Sequence, residues 1–313
     1  MISYHEDFGK HGYWTTKYRV NPSFDYLKAK SLTDKNNIHV RKPSPVSLDL
    51  LKKVHSGKHI SSVMATDYFD IALLSAGSVL VCGESLIRGE FENAFAYVGT
   101  AGHHASKESA WGFCFFNDVA ILVEYLRKNY GVNKFFIVDI DPHFGDGTRD
   151  FFEQDKEVFH LNFHGGTEER VDLHNKNIDF PLPRDIVDNE FLYVVDSIVP
   201  VLTKKFNPEM IMVIFGHDSH YLDYGSFKLS WEFYPKFTRI LKLNAKSVCN
   251  GKLLYILSGG SVIKVAEQAI YGVICELAEI EYKQEEDPGK IEKKEIREDL
   301  IERVQKIFQK LKR

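Results

Sequence analysis

The chain has 313 residues, 44% of them hydrophobic and 27% charged, with a formal net charge of −4. That is enough to build one large α/β domain or two small ones, and the composition is neither disordered nor fibrous. The mild acidity offers no general footing for nucleic acid, and Cys82, Cys114, Cys249 and Cys275 lack the spacing of a zinc ribbon or a disulfide framework.

The first ten residues, MISYHEDFGK, are charged and have no apolar run, so they do not read as a signal peptide. The longest apolar stretch, 71–82, is too short and too interrupted by small residues to span a bilayer. A cytoplasmic protein with free thiols and no membrane association is the expectation. Residues 1–45 read as polar, aromatic-rich and irregular, and His5 and His11 show no metal-ligand spacing. Pro43 and Pro45 precede an amphipathic helix over about 47–55, and a second helix covers about 68–88. Gly77 at its middle costs about 1 kcal/mol against Ala, which predicts close packing against a sheet.

A strand over 95–98 runs into the loop Gly102-His103-His104-Ala105, and 112–117 (GFCFFN) leads into a helix over about 118–129. The central strand follows at 135–138, and 158–163 (VFHLNF) is the next, closed by His164-Gly165-Gly166. A helix over 189–205, the strand 210–215 (MIMVIF), a helix over 231–245 and the strand 253–257 (LLYIL) come next, with a last helix of this set reaching about 282. Strands alternating with helices predict a parallel sheet with right-handed crossovers, one α/β domain over 1–282. Asp287-Pro288-Gly289 then breaks the chain. Residues 283–313 carry a charged helix with apolar Ile296, Leu300, Val304, Ile307 and Leu311, expected to pack on the domain as a lid or to serve an oligomer contact.

The stretch that organises the chain is 134–150, KFFIVDIDPHFGDGTRD. An apolar strand buried on both faces runs straight into Asp139, Asp141 and His143. Alternate residues of a strand share a face, and the carboxyl ends of parallel strands are where ligands bind. The plain alternative is a strand followed by an Asp/Gly turn. Against it, polar clusters stand at four such ends: His103 and His104, Asp139 with Asp141 and His143, Asp218, and Gly259-Gly260. Asp141, His143 and Asp218 could supply the three ligands of a catalytic zinc with one position open. This harder oxygen-rich set also suits Fe(II). His103 and His104 could move protons, with Asp139 and Asp146 fixing their tautomers.

These motifs resemble the histone deacetylase superfamily, from about residue 11 to 277. The resemblance lies in GHHA at 102–105, GFCFFN at 112–117, DIDPHFGDGT at 139–148, GHDSHYLD at 216–223 and SGG at 258–260. The related arginases would show DxHxD for two manganese ions, and here the order is DxDxH. The resemblance implies a three-layer α/β/α arginase/deacetylase fold with a mainly parallel central sheet, and hydrolysis of an acylated amine, either a small molecule or an acyl-lysine. It implies Asp141, His143 and Asp218 as ligands of one divalent metal, His103 and His104 as the proton-transfer pair, and Asp139 and Asp146 as their carboxylate partners. Gly112, Phe113 and Gly260 would line the substrate tunnel. A structural monovalent cation, potassium or sodium, would sit on Asp139, Asp141, His143, Asn162 and Phe163.

The departures are as specific. Ser261 stands where the family has a tyrosine that polarises the substrate carbonyl, and it is too short to reach the same point except by holding a water. The segment after His164 is shorter than usual, which removes one wall of the tunnel. Phe144 replaces a common second histidine. Tyr221 and Tyr224 could replace the lost phenol, although surface or packing roles are the simpler expectation for them. Three functions therefore compete: an amidohydrolase with an altered electrophilic side, a catalytically weakened member of the fold acting as a binding or structural subunit, and a different hydrolase such as a ureohydrolase or ester hydrolase.

Overall fold

A computed structural model describes every residue except Ser226 and Arg313, so the terminal residue of the 283–313 segment lies outside the described residues. Among the described residues nine strands form one sheet: β1 (Ile2–Ser3), β2 (Val40–Arg41), β3 (Asn93–Ala96), β4 (Phe135–Asp139), β5 (Val158–His164), β6 (Arg170–Asp172), β7 (Asn177–Pro181), β8 (Met210–Phe215) and β9 (Leu253–Leu257). Their order is β2-β1-β3-β9-β8-β4-β5-β7-β6, and only the β6–β7 pair is antiparallel. The inner strands β4, β8 and β9 are buried along their whole length, which is why they read as uninterrupted apolar runs.

The helices are α1 (Asp7–His11), α2 (Val20–Ala29), α3 (Leu48–Val54), α4 (Gly57–Met64), α5 (Phe69–Ile87), α6 (Asp118–Tyr130), α7 (Asp146–Phe152), α8 (Asp188–Phe206), α9 (Phe233–Cys249), α10 (Ile263–Ala278) and α11 (Glu298–Leu311). They divide into two packed sets: α3, α5, α6 and α7 in one, and α2, α10, α9, α8 and α11 in the other. Connections that step one way along the sheet use the first set, and those that step back use the second. With right-handed crossovers this puts the sets on opposite faces. The result is the expected three-layer α/β/α fold.

Register brings the site together. Asp139 on β4 lies beside Asn162 on β5 and Ile214 on β8, and Phe215 lies beside Leu257 on β9. The segments that follow β3, β4, β8 and β9 therefore leave the same edge of the sheet.

Three expectations change. Residues 1–45 are not irregular: they supply β1 and β2 to the sheet and α1 and α2 to the helical layers. Two-residue strands are too short to show any periodicity. Gly77 is close-packed, but against a loop rather than the sheet, since a Cβ there would lie 1.8 Å from the Ser44 carbonyl oxygen. Helix α5 is long and apolar enough to cross a membrane by length and composition, yet two-thirds of that span is buried inside the protein. Its apolarity serves the core.

The C-terminal segment docks through Leu300, Val304 and Ile307, all buried. Helix α11 packs on α8, and Arg297 grips the fully buried Glu190 with two hydrogen bonds of 2.9 and 3.0 Å.

Candidate metal centre and proton-handling site

Asp141, His143 and Asp218 meet at the strand ends, their ligand atoms all within 4.8 Å of one another. His143 Nδ1 is 2.8 Å from Asp141 Oδ1 and 3.2 Å from Asp218 Oδ2. Asp141 is further held by donors, the Ser258 hydroxyl and the Gly259 amide, each 2.9 Å from Oδ2. Asp218 differs. It is fully buried, and among the described residues neither of its oxygens has a hydrogen bond of its own: the nearest cation, His143 Nδ1, is shared with Asp141 and closer to it. A buried, unpartnered carboxylate is costly unless a cation completes it. Gly259 makes room for this pair, because a Cβ there would lie 2.2 Å from Asp218 Oδ2.

The charges respond to this crowding. Burial, then repulsion from Asp141, pushes the Asp218 carboxyl up to about 7. Burial opposes the charge on His143, but the hydrogen bond to Asp141 and the close Asp218 carboxylate outweigh it and raise the imidazole to about 11. In effect a proton on His143 balances two acids that a divalent cation could balance instead.

His103 and His104 stand beside this cluster, their rings 4.0 Å apart. His103 donates from Nδ1 to Asp139 Oδ2 at 3.0 Å, and His104 donates from Nδ1 to Asp146 Oδ1 at 2.6 Å. Each carboxylate can only accept, so each imidazole keeps Nε2 for the cavity. Their preferences are opposite. Burial opposes charge on His103, but Asp141 and Asp139 raise it to about 9. Burial and then His103 lower His104 to about 4, against the pull of Asp146.

These groups open onto a cavity of about 230 Å³ lined also by Trp111, Gly112, Phe113, Cys114, Tyr224 and Gly259. Segment 164–170 contributes nothing to that lining. A larger groove of about 970 Å³ beside α9 and α10 is lined by lysines and glutamates and holds none of these groups.

The structure thus brings together His103, His104, Asp139, Asp141, His143, Asp146, Gly112, Phe113 and Asp218. It does not bring Ser261 to the cavity. The Ser261 amide and hydroxyl both donate to Asp223, at 2.9 and 3.0 Å, and Gly260 is off the lining too. Gly260 has φ +114°, and a Cβ there would strike the His217 ring at 2.3 Å, so the turn demands glycine.

Three residues enter that the sequence reading passed over or set aside. Trp111 stacks 3.7 Å from His104 and donates to the second oxygen of Asp146 at 2.6 Å. Its place next to GFCFFN was the only available signal. Arg19 is buried and donates to the Ser258 carbonyl, which puts a cation behind the 258–260 turn. Tyr224, expected at the surface or in packing, is 38% exposed and also lines the cavity. Its ring lies 5.7 Å from both Phe113 and His143, and burial, with Asp218 and Asp141 nearby, pushes its pKa up.

Comparison with known proteins gives the family. A family model described as the histone deacetylase domain matches residues 14–277. A probable deacetylase of Archaeoglobus fulgidus is 28% identical over 308 residues, covering 88% of this chain and 86% of that one. Histone deacetylase 14, chloroplastic, of Arabidopsis thaliana is 30% identical over 61% of this chain and 49% of its own length. For human histone deacetylase 9 the figures are 31%, 60% and 20%, so this chain spans half or less of the plant and human proteins.

Proposed function

The chain belongs to the histone deacetylase family, and from that premise we propose that it is a metal-dependent amidohydrolase that cleaves an acylated amine into an amine and a carboxylate. The observation that carries this is Asp218, buried beside Asp141 with only the shared His143 imidazole to offset its charge among the described residues. That donor set fits one divalent ion, zinc first and Fe(II) second. Such an ion acts as a Lewis acid, acidifying water and polarising a carbonyl.

The protein's own groups do the rest. His103 and His104 each present Nε2 to the cavity, so one can take a proton from the attacking water and return it while the other serves the leaving nitrogen. Asp139 and Asp146 hold the two tautomers, and Trp111 holds Asp146. Phe113 and Tyr224 line the cavity and would flank the acyl chain. Farther down, Asn162 is buried with both side-chain polar atoms unpartnered. That supports a monovalent cation held with the main chain of Asp139, Asp141, His143 and Phe163.

The reading is tested with a panel of acetyl-lysine peptides and acylated polyamines, scored by release of free amine, together with metal analysis. One divalent ion per chain and loss of roughly 10³-fold in turnover for Asp218→Ala are expected. No bound metal, or an Asp218→Ala variant as active as the parent, would end it. The displacement of Ser261 favours a second reading, a catalytically weakened protein that binds acylated amines or serves an assembly. Metal binding and substrate binding without turnover would select it.

A further inference from the structure

Ser261 cannot serve the substrate carbonyl, because its hydroxyl and amide are both committed to Asp223. The same carboxylate takes the amide of Val262 at 3.0 Å. Asp223 therefore ties the 221–225 loop to the 258–262 turn. The next residue, Tyr224, reaches that turn too: its hydroxyl oxygen accepts the Gly260 amide at 2.7 Å. The preceding amide, Gly259, is bound to the candidate metal ligand Asp141. The phenol oxygen is thus bonded one residue along the chain from an amide that holds a candidate metal ligand, and Tyr224 itself lines the cavity.

The direction of that hydrogen bond matters. The amide can only donate, so the phenol oxygen accepts and its own proton is left over. Among the described residues no acceptor is recorded for it. A hydroxyl that accepts one bond becomes a better donor for the next. Its ring is held edge-on to Phe113 and lies 5.7 Å from His143, the wall and the floor of the cavity.

We infer that Tyr224, supplied by the loop after β8, donates the hydrogen bond that polarises the substrate carbonyl, replacing the phenol that the turn after β9 lacks at Ser261. This rests on the amidohydrolase reading of the same site. As the water oxygen bonds to the carbonyl carbon, the π electron pair moves onto the carbonyl oxygen, and the Tyr224 hydrogen bond to that oxygen strengthens. The C–N bond then breaks, the nitrogen takes its proton from the histidine pair, and the oxygen regains its double bond. Tyr224 shares its proton without giving it up and ends the cycle as the neutral phenol. Loss of one such donor costs about 10²–10³ in rate.

The test compares Tyr224→Phe and Tyr221→Phe with the parent, since Tyr221 packs on His220 and faces Gly289 away from the cavity. Expected for Tyr224→Phe are a kcat about 10²–10³ lower, KM within about threefold and an unchanged metal content, with Tyr221→Phe near the parent. A parent that turns over while Tyr224→Phe keeps its kcat would overturn the assignment and leave the amidohydrolase reading intact. A parent without turnover on the whole panel would sink that reading instead. Binding of benzohydroxamate to the zinc-loaded proteins then decides about the phenol. A dissociation constant about tenfold weaker in Tyr224→Phe, one hydrogen bond, supports it, and equal affinity refutes it.

Discussion

The indole of Trp111 lies 3.7 Å from the imidazole of His104, and both rings donate to Asp146, one to each oxygen. The carboxylate is thereby fixed from two sides while Trp111 itself stays 54% exposed. Trp111→Phe keeps the stack and removes one donor. Because the pair is half in solvent, the expected cost is about 0.5–1 kcal/mol. Turnover should fall about three- to fivefold, measured as kcat on the best substrate of the panel. Wild-type kcat in Trp111→Phe would mean that His104 alone positions Asp146.

Metal affinity should depend steeply on pH. Asp141 and Asp218 hold the His143 imidazole protonated, up at about 11, although burial opposes that charge. A metal needs the neutral ring, so binding displaces a proton. Affinity therefore rises with pH, by about tenfold per unit for each proton released. Competition against a chelator at pH 6, 7 and 8 measures it. A flat profile would mean that His143 is not a ligand.

Acid should release the C-terminal helix. Burial opposes the charge of Glu190, but hydrogen bonds from Arg297 and Lys293 hold its pKa below the ordinary 4.5. A carboxyl depressed on folding adds stability that is fully present above its unfolded value and is lost as pH falls through its folded value. Arg297→Ala leaves a buried carboxylate with Lys293 alone, at a cost on the order of 2–3 kcal/mol near neutrality. Thermal melts should show the two proteins well separated at pH 7 and converging below about pH 4.

Gly77→Ala separates local propensity from packing. Helix propensity alone favours Ala by about 1 kcal/mol. The added methyl would lie 1.8 Å from the Ser44 carbonyl oxygen, so the backbone of one partner must move. Overpacking of this kind costs about 1–3 kcal/mol. Denaturant melts should show a destabilised protein, and a stabilised one would mean that the 43–45 segment yields freely.

What could be read in advance followed from physical periodicity and spacing. MIMVIF and LLYIL were placed to the residue as strands, because a strand covered on both faces shows no polar interruption. Asp141, His143 and Asp218 could be grouped because each ends such a strand. By contrast, β7 is buried throughout although Asn177 and Asp179 lie in it, and Asp179 is matched by an ion pair with Arg149 of α7. Polarity hides a buried strand whose charge is paired from elsewhere in the fold. Arg19 was invisible for a similar reason, being an arginine in a polar, aromatic segment that ends up behind the 258–260 turn. Tyr224 lies in a loop, where neither period applies and only three-dimensional proximity says which way a ring points.

The Asp223 clamp has a consequence for how such chains are sorted. Motifs are counted along the polypeptide, whereas a substrate meets groups arranged in space. Because one carboxylate fastens two loops from different strands against each other, the phenol of one loop lies against the backbone of the other. A missing letter in one signature is then no guide to a missing group in the pocket, and relatives dismissed on that letter merit inspection of the neighbouring loop.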